Sequence, residues 1–341
     1  MENSEIIPCV IEGGYNTSYI NAMLSAFFYK DNQYLNKLLD STPSKSSAFY
    51  LQELIKINYI EPLRKHYSLK SNIINEIRNY LFINGYLPNE NIFTSMKSHS
   101  VNSLFSFLSE YLNGNKLEFD ITKIKDGVIV EKDIIYKTSL IKLNVNSSIY
   151  DKPHGQGLQI DGNNYTSIKN LFLKWLQDEI FFKQEEYYCY KLKDIPSYLC
   201  FYLERSNDLG ININLDLNDL DLNENNMDDI DNNTNHSTNN STNNLINNSL
   251  NMLNTNIMVD IMKNIKFFKN SDPTQAYIKY KIHSLVCYDG TNYYSVLTTY
   301  NNKWIILKEN KVPSLEYILM SDYDITDKIK KEVVFVIYTL E

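Results

Sequence analysis

The chain has 341 residues, enough for one large domain or two ordinary ones, and 43% of them are hydrophobic, which supports a sizeable core. A formal net charge of -8 excludes nucleic acid as the main partner, because meeting phosphate needs a basic surface. The four cysteines form no Cys-x-x-Cys pair, no run reaches membrane-spanning length, and the N-terminus lacks a basic stretch followed by an apolar one, so a soluble protein of a reducing compartment is expected, cytoplasmic or nuclear, without membrane anchor, structural zinc or disulfide framework.

In chain order, Gly13 and Gly14 lead into a short polar knot. From Ser18 the apolar residues Ile20, Met23, Leu24, Phe27 and Phe28 recur at helical spacing, which predicts a helix from Ser18 to about Leu38. Polar groups at such a mouth are candidates for chemistry, because the first N–H groups of a helix are unpaired and attract negative charge. Further helices are predicted over Ala48 to Asn58, Ser71 to Ile83 and Ser100 to Leu112. The last carries Val101, Leu104, Phe105, Leu108 and Leu112 on one face. From about Leu117 the pattern turns β-branched, as in "GVIVEKDIIYKTSLIKLNV". One more helix fits Ser167 to Phe182. Strand-like runs follow in "EYYCYKL", "YLCFYLER", "AYIKYKIHSLVCY", "NYYSVLTTY", "KWIILK" and "EVVFVIYTL". Helices first and mostly antiparallel strands afterwards make an α+β fold.

Residues 207–256 dissolve into Asn, Asp, Ser and Thr, with too little apolar surface to offset the entropy of ordering. They read as a disordered insertion inside one domain, since strand-like sequence resumes after them. The wealth of Asn, Ile and Lys suits an AT-rich genome such as that of a large DNA virus, which would place the protein in a host cell.

Four stretches, in this order, resemble the ubiquitin-specific protease family of deubiquitinases. "YNTSYINAML" (Tyr15 to Leu24) is similar to the family's Gly-Asn-Thr-Cys-Tyr-x-Asn box ahead of its catalytic helix. "SVNSLFSFLSEYL" (Ser100 to Leu112) stands where the family has a Gln-Asp-x-x-Glu-Phe helix. "YYCYKLKDIPSYLCFYLER" (Tyr187 to Arg205) resembles the strand with Pro-x-x-Leu-x-x-x-Leu-x-Arg. "YKIHSLVCYDGTNYYSVLTTYNNKWIILKENKV" (Tyr280 to Val312) is similar to the terminal box, with Tyr293, Trp304 and Val312 at the family's spacing. The resemblance implies a papain-like cysteine protease fold in a single domain spanning 1–341. Its helical thumb would cover 1–115, and β-rich fingers and palm would cover 116–206 and 257–341. Ubiquitin or a ubiquitin-like protein would lie in the thumb–palm cleft.

In that family a Cys thiolate attacks the carbonyl at the end of ubiquitin, a His shuttles the proton, an acid orients the His, and a polar side chain helps hold the oxyanion. Carried over residue by residue, the nucleophile falls on Ser18, the base on Asn292 and the orienting acid on Lys308. The acid's neighbour falls on Glu309 and the oxyanion-stabilising residue on Asn16. A hydroxyl is less acidic than a thiol, an amide cannot shuttle a proton near neutral pH, and a cation opposes an imidazolium. The family's acidic pair in the thumb helix falls on Ser100 and Ser103, and its His before the Asp-Gly turn falls on Tyr288. Triad members act as a unit, so a loss on the order of 10⁶-fold in rate is implied.

Taken singly, Ser18 is a residue whose hydroxyl caps its helix, Asn292 a turn residue and Lys308 a solvated loop charge. His283 lies on the strand before the Asp289–Gly290 turn, where a structural role outweighs that of a substitute base. His66, His99, His154 and His236 have no motif around them, and Cys9 precedes the glycine pair rather than standing on the helix mouth. Cys189 lacks the partner that a zinc finger needs, so neither metal nor cofactor is expected. The leading expectation is a catalytically inactive deubiquitinase-fold protein that binds ubiquitin or another protein in its cleft; the acidic chain would suit a basic tail. An active deubiquitinase with a divergent site, and a scaffold that no longer touches ubiquitin, are the alternatives.

Overall fold

The computed structural model describes residues 11–14, 16–43, 45–65, 68–87, 100–145, 165–176, 186–205, 258–261, 264–268, 277–298, 304–309, 319–320 and 327–341. The expected insertion at 207–256 lies outside them, as do Cys9, His66, His99, His154, His236 and Val312.

The described helices of the first third are α1 (Ser18–Phe28), α2 (Gln33–Asp40), α3 (Ser46–Ile55), α4 (Glu61–Arg64), α5 (Ser71–Ile83) and α6 (Val101–Tyr111). The single helix expected from Ser18 to Leu38 is in fact two. The Asn32 side chain accepts from the N–H groups of Tyr34 (3.0 Å) and Leu35 (3.3 Å), so it starts α2 as an N-cap and ends any continuation from α1. Arg64 fixes the break, its Nε donating to the Phe28 carbonyl (2.9 Å) and its Nη2 to that of Lys30 (3.1 Å). The helix expected over Ala48 to Asn58 runs further, from α3 through a π-helical turn at Lys56–Ile60 into α4. Pro62 has no N–H for the carbonyl four residues back, and the widened turn precedes it. α5 has the predicted bounds, and α6 starts one residue later than predicted because Ser100 is its cap, its hydroxyl accepting from Asn102 N–H at 3.2 Å.

From Leu117 the chain is mainly strand: β1 (Leu117–Lys125), β2 (Val128–Thr138), β3 (Ile141–Asn144), β4 (Tyr165–Ser167), then α7 (Ile168–Leu176), β5 (Glu186–Leu192), β6 (Tyr198–Glu204), β7 (Met258–Asp260), β8 (Asn264–Phe268), β9 (Tyr277–Tyr288), β10 (Tyr293–Thr298), β11 (Trp304–Leu307), β12 (Leu319–Met320), α8 (Asp327–Glu332) and β13 (Val333–Leu340). The helix expected over Ser167 to Phe182 is seen as α7, and positions 177–182 lie outside the described residues. The largest sheet has the order β12-β11-β10-β9-β13-β6-β3, with β8 also on β9. A three-stranded sheet, β2-β1-β5, stands separately. Pairing is antiparallel except for β3 with β6 and β4 with β7.

The large sheet is buried on both faces, which is why β13 reads as the unbroken apolar run "VVFVIYTL" rather than as an alternation. Phe335 and Ile337 belong to the core shared with the helices, while Val336 and Tyr338 belong to the core on the opposite face with Phe201 and Trp304. α1 lies against β9 and β10 with all of its residues buried. Two of its buried polar groups find partners across the interface: Ser25 Oγ meets Tyr59 OH at 2.8 Å, and the Ala26 carbonyl accepts from Ser284 Oγ at 2.6 Å. This packing holds the N-terminus of α1 beside the β9–β10 turn.

Candidate functional site

Three segments meet at the mouth of α1. The first is the strand-like entry to it. Glu12 N–H donates to the Leu69 carbonyl at 2.9 Å, and the Glu12 carboxylate takes Lys70 Nζ at 2.6 Å, so the glycine pair is anchored on the start of α5. Gly14 N–H donates to Thr17 Oγ1 at 2.9 Å, and a Cβ on Gly14 would stand 2.6 Å from Asn75 Oδ1. A side chain at Gly14 would have to push aside Asn75 and Thr17. Asn16 follows with φ 50°, a left-handed conformation that asparagine tolerates better than most residues, and the chain then enters α1 at Ser18.

The second segment is the β9–β10 turn. One Asp289 carboxylate oxygen accepts from Thr291 N–H (3.1 Å), Thr291 Oγ1 (2.8 Å) and Asn292 N–H (2.9 Å), and Gly290 supplies the positive φ that the turn needs. Burial works to raise the Asp289 pKa, but these donors and Lys308 outweigh it and hold the carboxyl below its ordinary value. The turn delivers Asn292, itself exposed, to the residue next to Tyr293, whose N–H donates to Ser18 Oγ at 3.2 Å. Ser18 is only 3% exposed. Its hydroxyl is thus not the cap expected for its own helix; its partner is the backbone of β10.

The third segment leaves β11. Lys308 is the exposed loop charge expected from sequence, and it has two neighbours. Its Nζ lies 3.2 Å from Asp289 Oδ2 and 4.3 Å from the centre of the Tyr294 ring. Glu309 turns the other way, towards α1. Its Oε1 accepts from Thr17 Oγ1 at 3.1 Å and from Asn21 Nδ2, and its other oxygen faces Gly13, where a Cβ would stand 2.9 Å from it. Burial pushes the Glu309 pKa up, and the Asn21 and Thr17 hydrogen bonds only partly offset that.

Ser18, Asn292, Lys308, Glu309 and Asn16 therefore lie on three segments that converge. Their chemistry is another matter. Among the described residues no histidine or carboxylate is hydrogen-bonded to Ser18, and the amide of Asn292 cannot take a proton near neutral pH. His283 does not make good the loss. It is buried against the Tyr29 ring (5.0 Å between centres), beside the Ser284 bond to Ala26. Eight residues of helix rise separate Ala26 from Ser18, about 12 Å. Burial, then the Lys30 charge, hold the His283 pKa well below its ordinary value, so it is neutral. Among the described residues no group of His, Cys, Asp and Glu could hold a metal ion, and no helix is long and apolar enough to cross a membrane.

Sequence reasoning missed the clamp formed by Gly13, Thr17, Asn21 and Glu309. A signal was present: Asn21 is polar and stands one turn into a run of buried apolar residues, where an amide needs a partner. Nothing in the sequence says that this partner is Glu309, 288 positions away.

No protein-family model and no curated protein sequence matches the chain. Solved structures do match. An essential yeast splicing factor superposes with a TM-score of 0.56 at 11% identity, over 98% of this chain and 73% of its own. The Ubp8–Sgf11–Sgf73–Sus1 SAGA DUB module gives 0.55 at 10% identity, over 98% and 68%. A Ubp8, Sgf11, Sus1 and Sgf73 DUB module bound to monoubiquitin gives 0.54 at 13% identity, over 100% and 70%. What this chain shares with them is the fold, an α+β arrangement like that of the deubiquitinase modules.

Proposed function

We propose that this protein is a deubiquitinase-fold pseudoenzyme that holds ubiquitin or a ubiquitin-like protein in a cleft at the mouth of α1 without cleaving it. In this reading helices α1–α6 form the thumb, the β2-β1-β5 sheet the fingers and the large sheet the palm of one papain-like domain. The 207–256 stretch is then an insertion after β6, within the one domain. Ser18, Asn292 and Lys308 occupy the nucleophile, base and orienting-acid positions, Asn16 the oxyanion position, and Glu309 the place of the second acid.

The observation that carries the reading is the 3.2 Å bond from Tyr293 N–H to Ser18 Oγ. It supports convergence of the segments that such a triad needs, while the residue types at the convergence supply no thiolate, base or orienting acid. Lys308, drawn onto Asp289, cannot steady an imidazolium. The fold match to a DUB module bound to monoubiquitin supports a modifier as the occupant. The match to a structure described as an essential yeast splicing factor, not as a deubiquitinase, suits a second reading, a scaffold that no longer touches ubiquitin.

Two measurements test the proposal. Adding the full chain to isotope-labelled ubiquitin is expected to shift resonances of the ubiquitin tail. Incubating it with a fluorogenic ubiquitin amide is expected to release no fluorophore above background. Unshifted spectra at millimolar concentration would favour the scaffold, and enzyme-like turnover abolished by Ser18→Ala would favour an active deubiquitinase.

A further inference from the structure

Side chains from the large sheet reach across to the helices and cover the mouth of α1. Ser18 is 3% exposed and Thr17 is fully buried, so neither is open to a ligand in this structure. Three contacts hold the cover in place. Tyr293 on β10 donates its N–H to Ser18 Oγ at 3.2 Å and turns its hydroxyl to the Val101 N–H, the first of α6. Tyr202 on β6 turns its hydroxyl to Ser100, the cap of the same helix. Glu309, leaving β11, reaches Thr17 Oγ1 and Asn21 Nδ2. The Tyr293 ring lies 4.7 Å from that of Tyr288, and both Tyr293 and Tyr202 pack against the core that the helices share with the sheet. The rings therefore have anchors of their own, and the hydroxyls act separately as ties to α6.

We propose that Tyr202 and Tyr293 lock α6 onto the large sheet over the mouth of α1, and that a modifier tail binds there only in the minor population in which this lock is open. This rests on the modifier-binding reading above. A ligand that needs a scarce state binds more weakly by the fraction of molecules in that state, however well the open site fits it. A single intramolecular hydrogen bond shifts an equilibrium by about twofold to tenfold. Each hydroxyl tie removed raises the open fraction by that factor for as long as the closed state dominates. Affinity for the modifier is then set by the strength of contacts that the modifier itself never touches.

The experiment titrates isotope-labelled ubiquitin with the full chain as wild type, Tyr202→Phe, Tyr293→Phe and the double variant, all of which keep the aromatic rings. Far-UV circular dichroism checks that each is folded. The double variant is expected to bind at least about fourfold more tightly than wild type, with the single variants between them. Without ubiquitin, hydrogen exchange at the Tyr293 amide should quicken by a similar factor, since that N–H is released only when the lock opens. Binding by the double variant where wild type shows none would support the lock equally. Equal affinities in folded variants overturn the lock and leave modifier binding intact. Weaker binding in the variants also overturns it, because the hydroxyls would then serve the ligand. If no form binds at millimolar concentration, the modifier-binding reading falls and this inference with it.

Discussion

Replacing Glu309 by alanine removes the shared acceptor of two buried donors, Thr17 Oγ1 and Asn21 Nδ2, and opens a void beside Gly13. A buried donor left without an acceptor costs about 1–3 kcal/mol, so the two together cost about 2–6 kcal/mol. Against this, the variant no longer has to bury a carboxylate, which offsets part of that cost. Glu309→Ala is therefore expected to lose stability, by less than about 6 kcal/mol. Glu309→Gln keeps an acceptor for both donors and sheds the charge. It should fall within about 1 kcal/mol of wild type. Urea unfolding followed by tryptophan fluorescence measures both. The sign of the pH dependence adds a second arm. Because the folded pKa is raised, the native state binds the proton more tightly than the unfolded chain. Stability then falls as pH rises from the unfolded pKa through the folded one, and Gln at this position removes that slope. An alanine variant as stable as wild type, or a glutamine variant as damaged as the alanine one, would refute the clamp.

His283 has a folded pKa well below its ordinary value because it is buried. Below about pH 6.5 the unfolded chain takes up a proton that the native state refuses, costing up to about 1.4 kcal/mol per pH unit. Urea midpoints at pH 7 and pH 5 should therefore fall less in His283→Gln than in wild type, and parallel slopes would exclude the effect. Lys30 is brought down to about 8 by burial and then by the Lys281 charge. Carbon-13 NMR of the lysine side chains should show one amine titrating near there, and the signal should vanish in Lys30→Met. Ser18→Cys alone should gain no turnover of a fluorogenic ubiquitin amide, because Asn292 supplies no base. Any gain should need Asn292→His and Lys308→Asp with it, and a single Ser18→Cys variant that turns over would show that some other group serves as base.

The parts of the fold legible in sequence are those set by local periodicity. α5 and α6 read correctly because their apolar faces recur every three to four residues and a serine caps α6. The break between α1 and α2 was also written locally, in Asn32, but the apolar spacing continued through it and masked the cap. The convergence of Ser18 with the β9–β10 turn was legible only through the order of motifs, since no local rule pairs residues 275 positions apart. The Glu309 clamp was not legible at all. The order of motifs put Glu309 at the site as the acid's neighbour, but only the fold shows that it turns to Thr17 and Asn21 and lies against Gly13.

Lys308 shows how far the site has moved from the chemistry that its segments resemble. An acid at that position would face the turn and steady a base there. The lysine instead binds Asp289, the residue whose carboxylate also gathers Thr291 and Asn292 into the turn. That same turn presents the Tyr293 N–H that occupies Ser18 Oγ. The cation thus stabilises an arrangement in which the hydroxyl accepts from β10, while no base among the described residues takes its proton. On the proposed pseudoenzyme reading, inactivity belongs to a connected network of contacts, and single substitutions at any one of Ser18, Asn292 and Lys308 should not confer turnover.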